Sequence, residues 1–316
     1  MIENRNFTRL FMLLIASRRK LSTLRRKKRR LSDQMHYLGV SKSGPSNASG
    51  LTTDIGQAVW LSHVARAGAA QGVLIYIHGF NTPQKTMLSR YYNLKSSLRR
   101  QGYKGAVIAF DWPIFDNIFQ YSADRKLAEE VAPSLLSDIV APLRANVPGA
   151  KIHIVAHSMG AWLTMAALRK LSEGGLPGFT FDQICFASAD VPAKDFQAGS
   201  ADRAHLTNAC KRFTNYCSSS DRVLKFAGGL VNSFEGRLGK EGLPRPVGGE
   251  TFDAEGRNRF AQIKKNNSRS HSHSWWWSDA LFFRDLCQTL KQTAPSAVTT
   301  RAAHPPPSHQ LLRAKL

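Results

Sequence analysis

Residues 151–163, Lys-Ile-His-Ile-Val-Ala-His-Ser-Met-Gly-Ala-Trp-Leu, constrain this chain more than any other stretch. A β-branched apolar run (Ile152, Ile154, Val155) stops at small and polar residues. Helical spacing then begins through Ala161, Leu163, Met165, Ala166, Ala167 and Leu168. Strand, one sharp turn and helix put Ser158 at an apex, where its hydroxyl stands clear of the sheet. The backbone N–H of Met159, at the helix start, points at any oxyanion formed beside that hydroxyl.

The chain around this turn alternates in the same way. Residues 73–77 (Val-Leu-Ile-Tyr-Ile) read as a buried strand running into the loop His78-Gly79-Phe80-Asn81. A helix follows with Met87, Tyr91, Leu94 and Leu98 on one face. Residues 105–110 form a second strand ending in Asp111-Trp112-Pro113, and 121–143 a helix with Leu127, Val131, Leu135 and Ile139 inward. After the central turn come strands at 183–187 and 213–217, with a helix at 200–211 between them. Residues 227–270 carry little periodicity beyond one short strand near 259–263. A helix then opens at Ser270 and contains Trp275, Trp276, Trp277, Leu281, Phe282, Leu286 and Leu290. Alternating strands and helices predict a mostly parallel central sheet with helices on both faces, and no internal repeat interrupts the pattern. In such sheets ligands bind beyond the carboxyl ends of the strands, where each polar cluster falls.

Charge sets the ends apart. The formal charge is +22, and nine cations with no anion lie in 18–30. A Ser-, Gly- and Pro-containing linker follows at 41–50. Residues 1–50 therefore read as a basic, disordered arm and linker, 51–292 as the folded domain, and 293–316 as a Pro-rich disordered tail. Read as a helix, Phe7, Leu10, Phe11, Leu14 and Ile15 share a face. Backed by the cations, that face suits an anionic membrane surface; nucleic acid is not an expected partner. No run reaches the ~20 apolar residues of a membrane-spanning helix, and no signal-type cleavage site follows residues 10–16, which favours a cytoplasmic, membrane-associated location. The cysteines (Cys185, Cys210, Cys217, Cys287) lack metal-type spacing, and Cys185 and Cys287 sit in apolar runs.

A serine hydroxyl needs a base, and the base needs an orienting group. The chain offers Ser158, then Asp190 or Asp221, then His271 or His273. Asp221, after the second strand beyond the turn, is favoured as the acid. His78 and His157 flank the site but precede the acid and are read as supports. Gly79 lets the loop backbone approach, so the N–H groups of Phe80 and Met159 form a candidate oxyanion hole. Gly160 and the small Ala156 let helix and strand pass closely. Asp111 and Asp124 are read as structural. A competing reading is a binding protein that keeps the fold without turnover, brought to membrane or nucleic acid by its arm.

The pieces Ile-His-Gly-Phe-Asn (77–81), Phe-Asp-Trp-Pro (110–113), Tyr-Ser-Ala-Asp (121–124), Ala-His-Ser-Met-Gly (156–160), Ala189-Asp190, Tyr216, Asp-Arg-Val-Leu (221–224) and His-Ser-Trp-Trp-Trp (273–277) resemble a bacterial branch of the α/β-hydrolase superfamily of unknown function, esterase- or lipase-like, over about residues 52–290. The resemblance implies an α/β-hydrolase fold, serine-dependent cleavage of esters or related acyl bonds in a small-molecule substrate, and no metal or organic cofactor. Its late histidine, serine and aromatic motif aligns with His273 rather than His271.

Overall fold

The computed structural model describes residues 12–19, 31–41, 52–68, 72–115, 118–225, 235–244, 250–263, 268–304 and 309–313. Its strands are β1 (Met12–Arg19), β2 (Leu31–Ser41), β3 (Thr52–Asp54), β4 (Val73–Ile77), β5 (Ala106–Asp111), β6 (Ile152–His157), β7 (Gln183–Ala187), β8 (Phe213–Cys217), β9 (Thr251–Glu255), β10 (Arg301–His304) and β11 (His309–Leu312). The larger helices up to β8 are α1 (Gln57–Gly68), α2 (Gln84–Arg100), α3 (Tyr121–Ser134), α4 (Ala141–Asn146), α5 (Met159–Lys170) and α6 (Ala201–Ala209). A π-helical turn at Leu135–Val140 joins α3 to α4.

Among the described residues one sheet runs β10-β11-β9-β8-β7-β6-β4-β5-β1-β2-β3. It is parallel from β11 to β1, and only β10, β2 and β3 add antiparallel pairs at its edges. Register places the chemistry. Ile77 lies opposite both Phe110 and Ala156, and His157 lies opposite Ala187. The carboxyl ends of β4, β5, β6 and β7 therefore finish together, and the segments after them share one rim.

The strands are apolar throughout because both faces are covered. Val73, Ile75 and Ile77 pack into a layer with Trp60, Val64, Val131 and Leu163. Leu74 and Tyr76 face the other way, onto Met87, Tyr91, Leu94, Leu281, Phe282 and Leu286. In the first layer α3 packs on α5; in the second α2 packs on the helix Ala280–Leu290. No helix among the described residues is long and apolar enough to cross a membrane.

The reading of residues 1–50 as an arm is corrected for 12–19 and 31–41; residues 1–11 lie outside the described residues. β1 is an interior strand, parallel to β5 and antiparallel to β2. Leu14 and Ala16 enter one layer and Leu13 and Ile15 the other. That alternation has the period of a strand covered on both faces, which overrides the helical face read at Leu14 and Ile15; Phe7, Leu10 and Phe11 of that face lie outside the described residues. Arg19, one of the nine cations, is buried. Residues 20–30, which hold most of that basic run, and the linker at 42–50 lie outside the described residues.

The tail is corrected as well. β11 pairs with β9 and β10 pairs with β11, extending the sheet. The Arg301 guanidinium meets buried Asp285 at 2.9 and 2.6 Å, while Tyr216 Oη and Thr300 Oγ1 donate to the same carboxylate at 2.7 and 2.5 Å. A buried ion pair leaves no apolar periodicity, so composition alone suggested disorder; the prolines at 305–307 lie outside the described residues. Residues 257–263 form a helix instead of the strand expected near 259–263, and the strand is β9, just before it. The late helix is broken into Arg269–Ser274, a 3₁₀ turn at Trp275–Ser278 and Ala280–Leu290. The last begins where Asp279 caps it, accepting from the Phe282 N–H at 3.0 Å.

Because Ile15 is 1% exposed in an interior strand, Ile15→Ala is expected to destabilise the protein by about 2–5 kcal/mol in urea unfolding. A change within a disordered arm would leave stability unaltered.

Candidate active site

Ser158 is the single residue between β6 and α5. Its backbone lies at φ 53°, ψ −124°, a region that L-residues enter at a cost of about 1–3 kcal/mol. Three hydrogen bonds hold it there. Its N–H donates to Ala187 C=O at 3.1 Å, and its C=O accepts from Ala161 N–H at 3.0 Å and Asp190 N–H at 3.1 Å. The chain is closely packed around the turn. A Cβ at Gly160 would lie 2.7 Å from the carbonyl oxygens of Ile77 and His78, and one at Gly79 would lie 2.7 Å from Ser158 Cβ. The loop after β4 thus lies directly against the serine. Met159 N–H, in the first turn of α5, has no intrahelical acceptor. The Phe80 N–H donates to no group among the described residues.

The candidate acid is placed by the turn after β8. Asp221 is 1% exposed. Its Oδ1 accepts the N–H groups of Val223 and Leu224, both at 3.0 Å, and its Oδ2 accepts from His273 Nδ1 at 2.7 Å. That bond puts the ring proton on Nδ1 and leaves Nε2 as a lone pair in the neutral ring. His273 rides on the short helix Arg269–Ser274, capped by Ser268, whose Oγ accepts from His271 N–H. Ser272 Oγ accepts from Arg222 N–H at 3.0 Å, which ties the histidine's helix to the acid's turn. His157, just before the serine, donates from Nε2 to the His273 C=O at 3.1 Å, and the two rings lie 4.7 Å apart. Burial, then the neighbouring His273 charge, pushes the His157 pKa well below that of ordinary histidine, so His157 stays neutral.

The alternatives have other partners. Asp190 accepts from Tyr121 Oη at 2.5 Å and lies 3.3 Å from the buried Arg237 guanidinium. Burial first, and the Asp190 charge second, push the Tyr121 phenol far up, so it remains a donor. His271 rests against the Phe260 ring at 5.7 Å. The structure thus brings Asp221 and His273 together as one hydrogen-bonded pair, while the Asp190 backbone N–H donates to the Ser158 carbonyl.

His78 is fully buried and stacks on Trp112, with centroids 5.5 Å apart and planes 10° apart. The Trp112 Nε1–H donates to His78 C=O at 2.9 Å. Beside it lies a group that sequence reasoning missed. Arg19 Nη2 meets Asp111 Oδ1 at 2.6 Å, and Ser17 Oγ donates to Asp111 Oδ2 at 3.1 Å. Burial would raise the Asp111 pKa; the Arg19 charge and the Ser17 bond outweigh it and hold the carboxyl below its ordinary range. Arg19 was hidden by its place in a polybasic run, where composition does not separate an inward arginine from the other cations. Among the described residues no group of three or more His, Cys, Asp or Glu side chains is arranged to hold a metal.

A mostly parallel sheet whose strained serine joins strand to helix defines the α/β-hydrolase class. The chain belongs to the family described as "Alpha/beta hydrolase of unknown function (DUF900)", whose profile matches residues 55–248. It is 23% identical over 158 residues to an uncharacterized protein of Nostoc sp. (strain PCC 7120), covering 43% of this chain and 41% of that protein, so it spans about two fifths of the relative's length. Similar solved structures include EstE7, a hormone-sensitive-lipase homologue from a metagenome library, with TM-score 0.41 and 12% identity over 82% of this chain and 83% of that one. Another is an esterase of Pyrobaculum calidifontis, with TM-score 0.37 and 13% identity over 72% and 76%.

Neutral His157 and His78 set the acid sensitivity of the fold. Burial lowers both native pKa values, while an unfolded histidine titrates near about 6.5. Below that pH the unfolded chain binds more protons, so stability is complete above it and falls as pH drops. Tm is expected to decline between about pH 6.5 and 5. His157→Gln, which keeps a donor for the His273 carbonyl, should make that decline shallower in differential scanning calorimetry; an unchanged slope would remove His157 from the explanation.

Proposed function

We propose that the protein is a serine hydrolase that cleaves a carboxylic ester or related acyl bond through an acyl-enzyme. The observation that carries this reading is the 2.7 Å bond from His273 Nδ1 to buried Asp221, made beside the strained turn that presents Ser158. Ser158 Oγ attacks the acyl carbonyl while His273 Nε2 takes its proton. Asp221 keeps His273 in the Nδ1–H tautomer and stabilises the imidazolium that forms. The Phe80 and Met159 N–H groups meet the oxyanion of the tetrahedral intermediate, supplying charge stabilisation where charge develops. His273 then returns the proton to the leaving group, and water, activated by the same histidine, releases the acid. Family membership supports the class of reaction, and the acyl substrate is identified only by its carbonyl.

Hydrolysis of short p-nitrophenyl esters tests the assignment. Ser158→Ala should lower kcat by about 10⁴-fold or more with unchanged far-UV circular dichroism. Asp221→Asn should cost about 10⁴-fold, by favouring the wrong histidine tautomer, whereas Asp190→Asn should cost far less. A Ser158→Ala protein with full activity would refute the mechanism, and equal losses at the two aspartates would refute the choice of acid.

A further inference from the structure

We propose that Arg19, on the N-terminal strand β1, is a positioning residue that fixes the tautomer of His78 and through it aims the Phe80 N–H at the oxyanion. The proposal rests on the serine-hydrolase reading and adds a residue 139 positions before the nucleophile to its machinery.

The geometry leaves one consistent arrangement of protons. His78 Nδ1 lies 3.0 Å from the Gly79 carbonyl oxygen, which only accepts, so Nδ1 carries a proton. Burial, with the Arg19 charge adding to it, lowers the His78 pKa despite Asp111, so the ring is neutral. Its Nε2 is then a lone pair. Two groups face that lone pair: Asp111 Oδ1 at 3.2 Å, an acceptor when ionised, and Arg19 Nη2 at 3.2 Å, a donor. Only the guanidinium completes the neutral Nδ1–H ring. The same nitrogen holds Asp111 at 2.6 Å. Without Arg19, the carboxylate alone would face Nε2 and draw the proton there, taking it away from Gly79.

The consequence for the site follows from peptide geometry. The Gly79 C=O and the Phe80 N–H belong to one planar unit, and in a trans peptide they point in opposite directions. Holding the carbonyl on His78 turns the N–H to the other side of the loop. That loop lies against Ser158, as the 2.7 Å approach at Gly79 shows. Trp112 already fixes the ring plane by stacking and the His78 carbonyl by a hydrogen bond. The position of the ring proton is the remaining variable, and Arg19 sets it. Arg19 is itself fixed by its strand: β1 pairs with β5 so that Ser17 lies opposite Asp111, and the Ser17 hydroxyl bonds both the Asp111 carboxylate and the Arg19 N–H.

The test combines a tautomer measurement with kinetics. Two-bond ¹H–¹⁵N correlation spectra of histidine-labelled full-length protein, assigned with a His78→Gln variant, should show His78 protonated at Nδ1 in the wild type. In Arg19→Met the proton should move to Nε2. There kcat for a p-nitrophenyl ester should fall about 10²-fold, the typical cost of one oxyanion donor, with KM within about twofold of wild type. Arg19→Lys, which keeps a cationic donor, should recover the Nδ1–H signal and most of kcat. Wild-type His78 protonated at Nε2 overturns the proposal, and so does an Arg19→Met protein with wild-type kcat. Should Arg19→Met not fold, the wild-type spectrum and Arg19→Lys still decide. Should the wild type cleave no ester, the hydrolase reading fails, while the spectra still decide whether Arg19 sets the tautomer.

Discussion

Ser158 can hold φ 53° only because the chain on either side of it is closed in. The carbonyl oxygens of Ile77 and His78 lie within 2.7 Å of where a Cβ at residue 160 would be, and Gly79 lies against the serine itself. Strain of this kind persists where surrounding structure over-determines it. Everything else in the site depends on that crossing of β4 and its loop over the start of α5. It sets the distance between the two candidate oxyanion donors. It also brings His157 beside His273, where a hydrogen bond from the His157 ring to the His273 carbonyl joins β6 to the helix Arg269–Ser274.

The local part of this arrangement was legible in the sequence. A strand-turn-helix is written in consecutive residues, so the sharp turn at Ser158 and the glycines beside it could be read directly. The mostly parallel sheet was legible for the same reason, because each βαβ unit carries its own periodicity. The choice of acid was less so. Asp190 and Asp221 both follow strands, and what separates them is tertiary: Tyr121, 69 residues earlier, takes the carboxylate of one, and His273, 52 residues later, binds the other. Choosing His273 over His271 relied on resemblance; the folded chain sets His273 on Asp221 and His271 against Phe260.

The chain ends were illegible for an electrostatic reason. Each is anchored by an arginine on a buried carboxylate, Arg19 on Asp111 and Arg301 on Asp285. Charge runs and proline-rich composition ordinarily mark solvated chain, and an arginine that turns inward changes neither statistic. Burying such pairs costs desolvation, which is repaid when geometry and further hydrogen bonds are good. Here the repayment is visible in Ser17, Tyr216 and Thr300, which donate to those carboxylates. The N-terminal anchor has the larger functional consequence, because its carboxylate also touches the histidine of the oxyanion loop.

The central claim is that Ser158 is the activated nucleophile. Its most direct measurement is reaction of the full-length protein with a fluorophosphonate, followed by peptide mass spectrometry. A stoichiometric phosphonate adduct on the peptide carrying Ser158, lost when His273 is replaced by alanine, is the predicted result. An adduct on any other residue, or an active protein that never labels at Ser158, would contradict it.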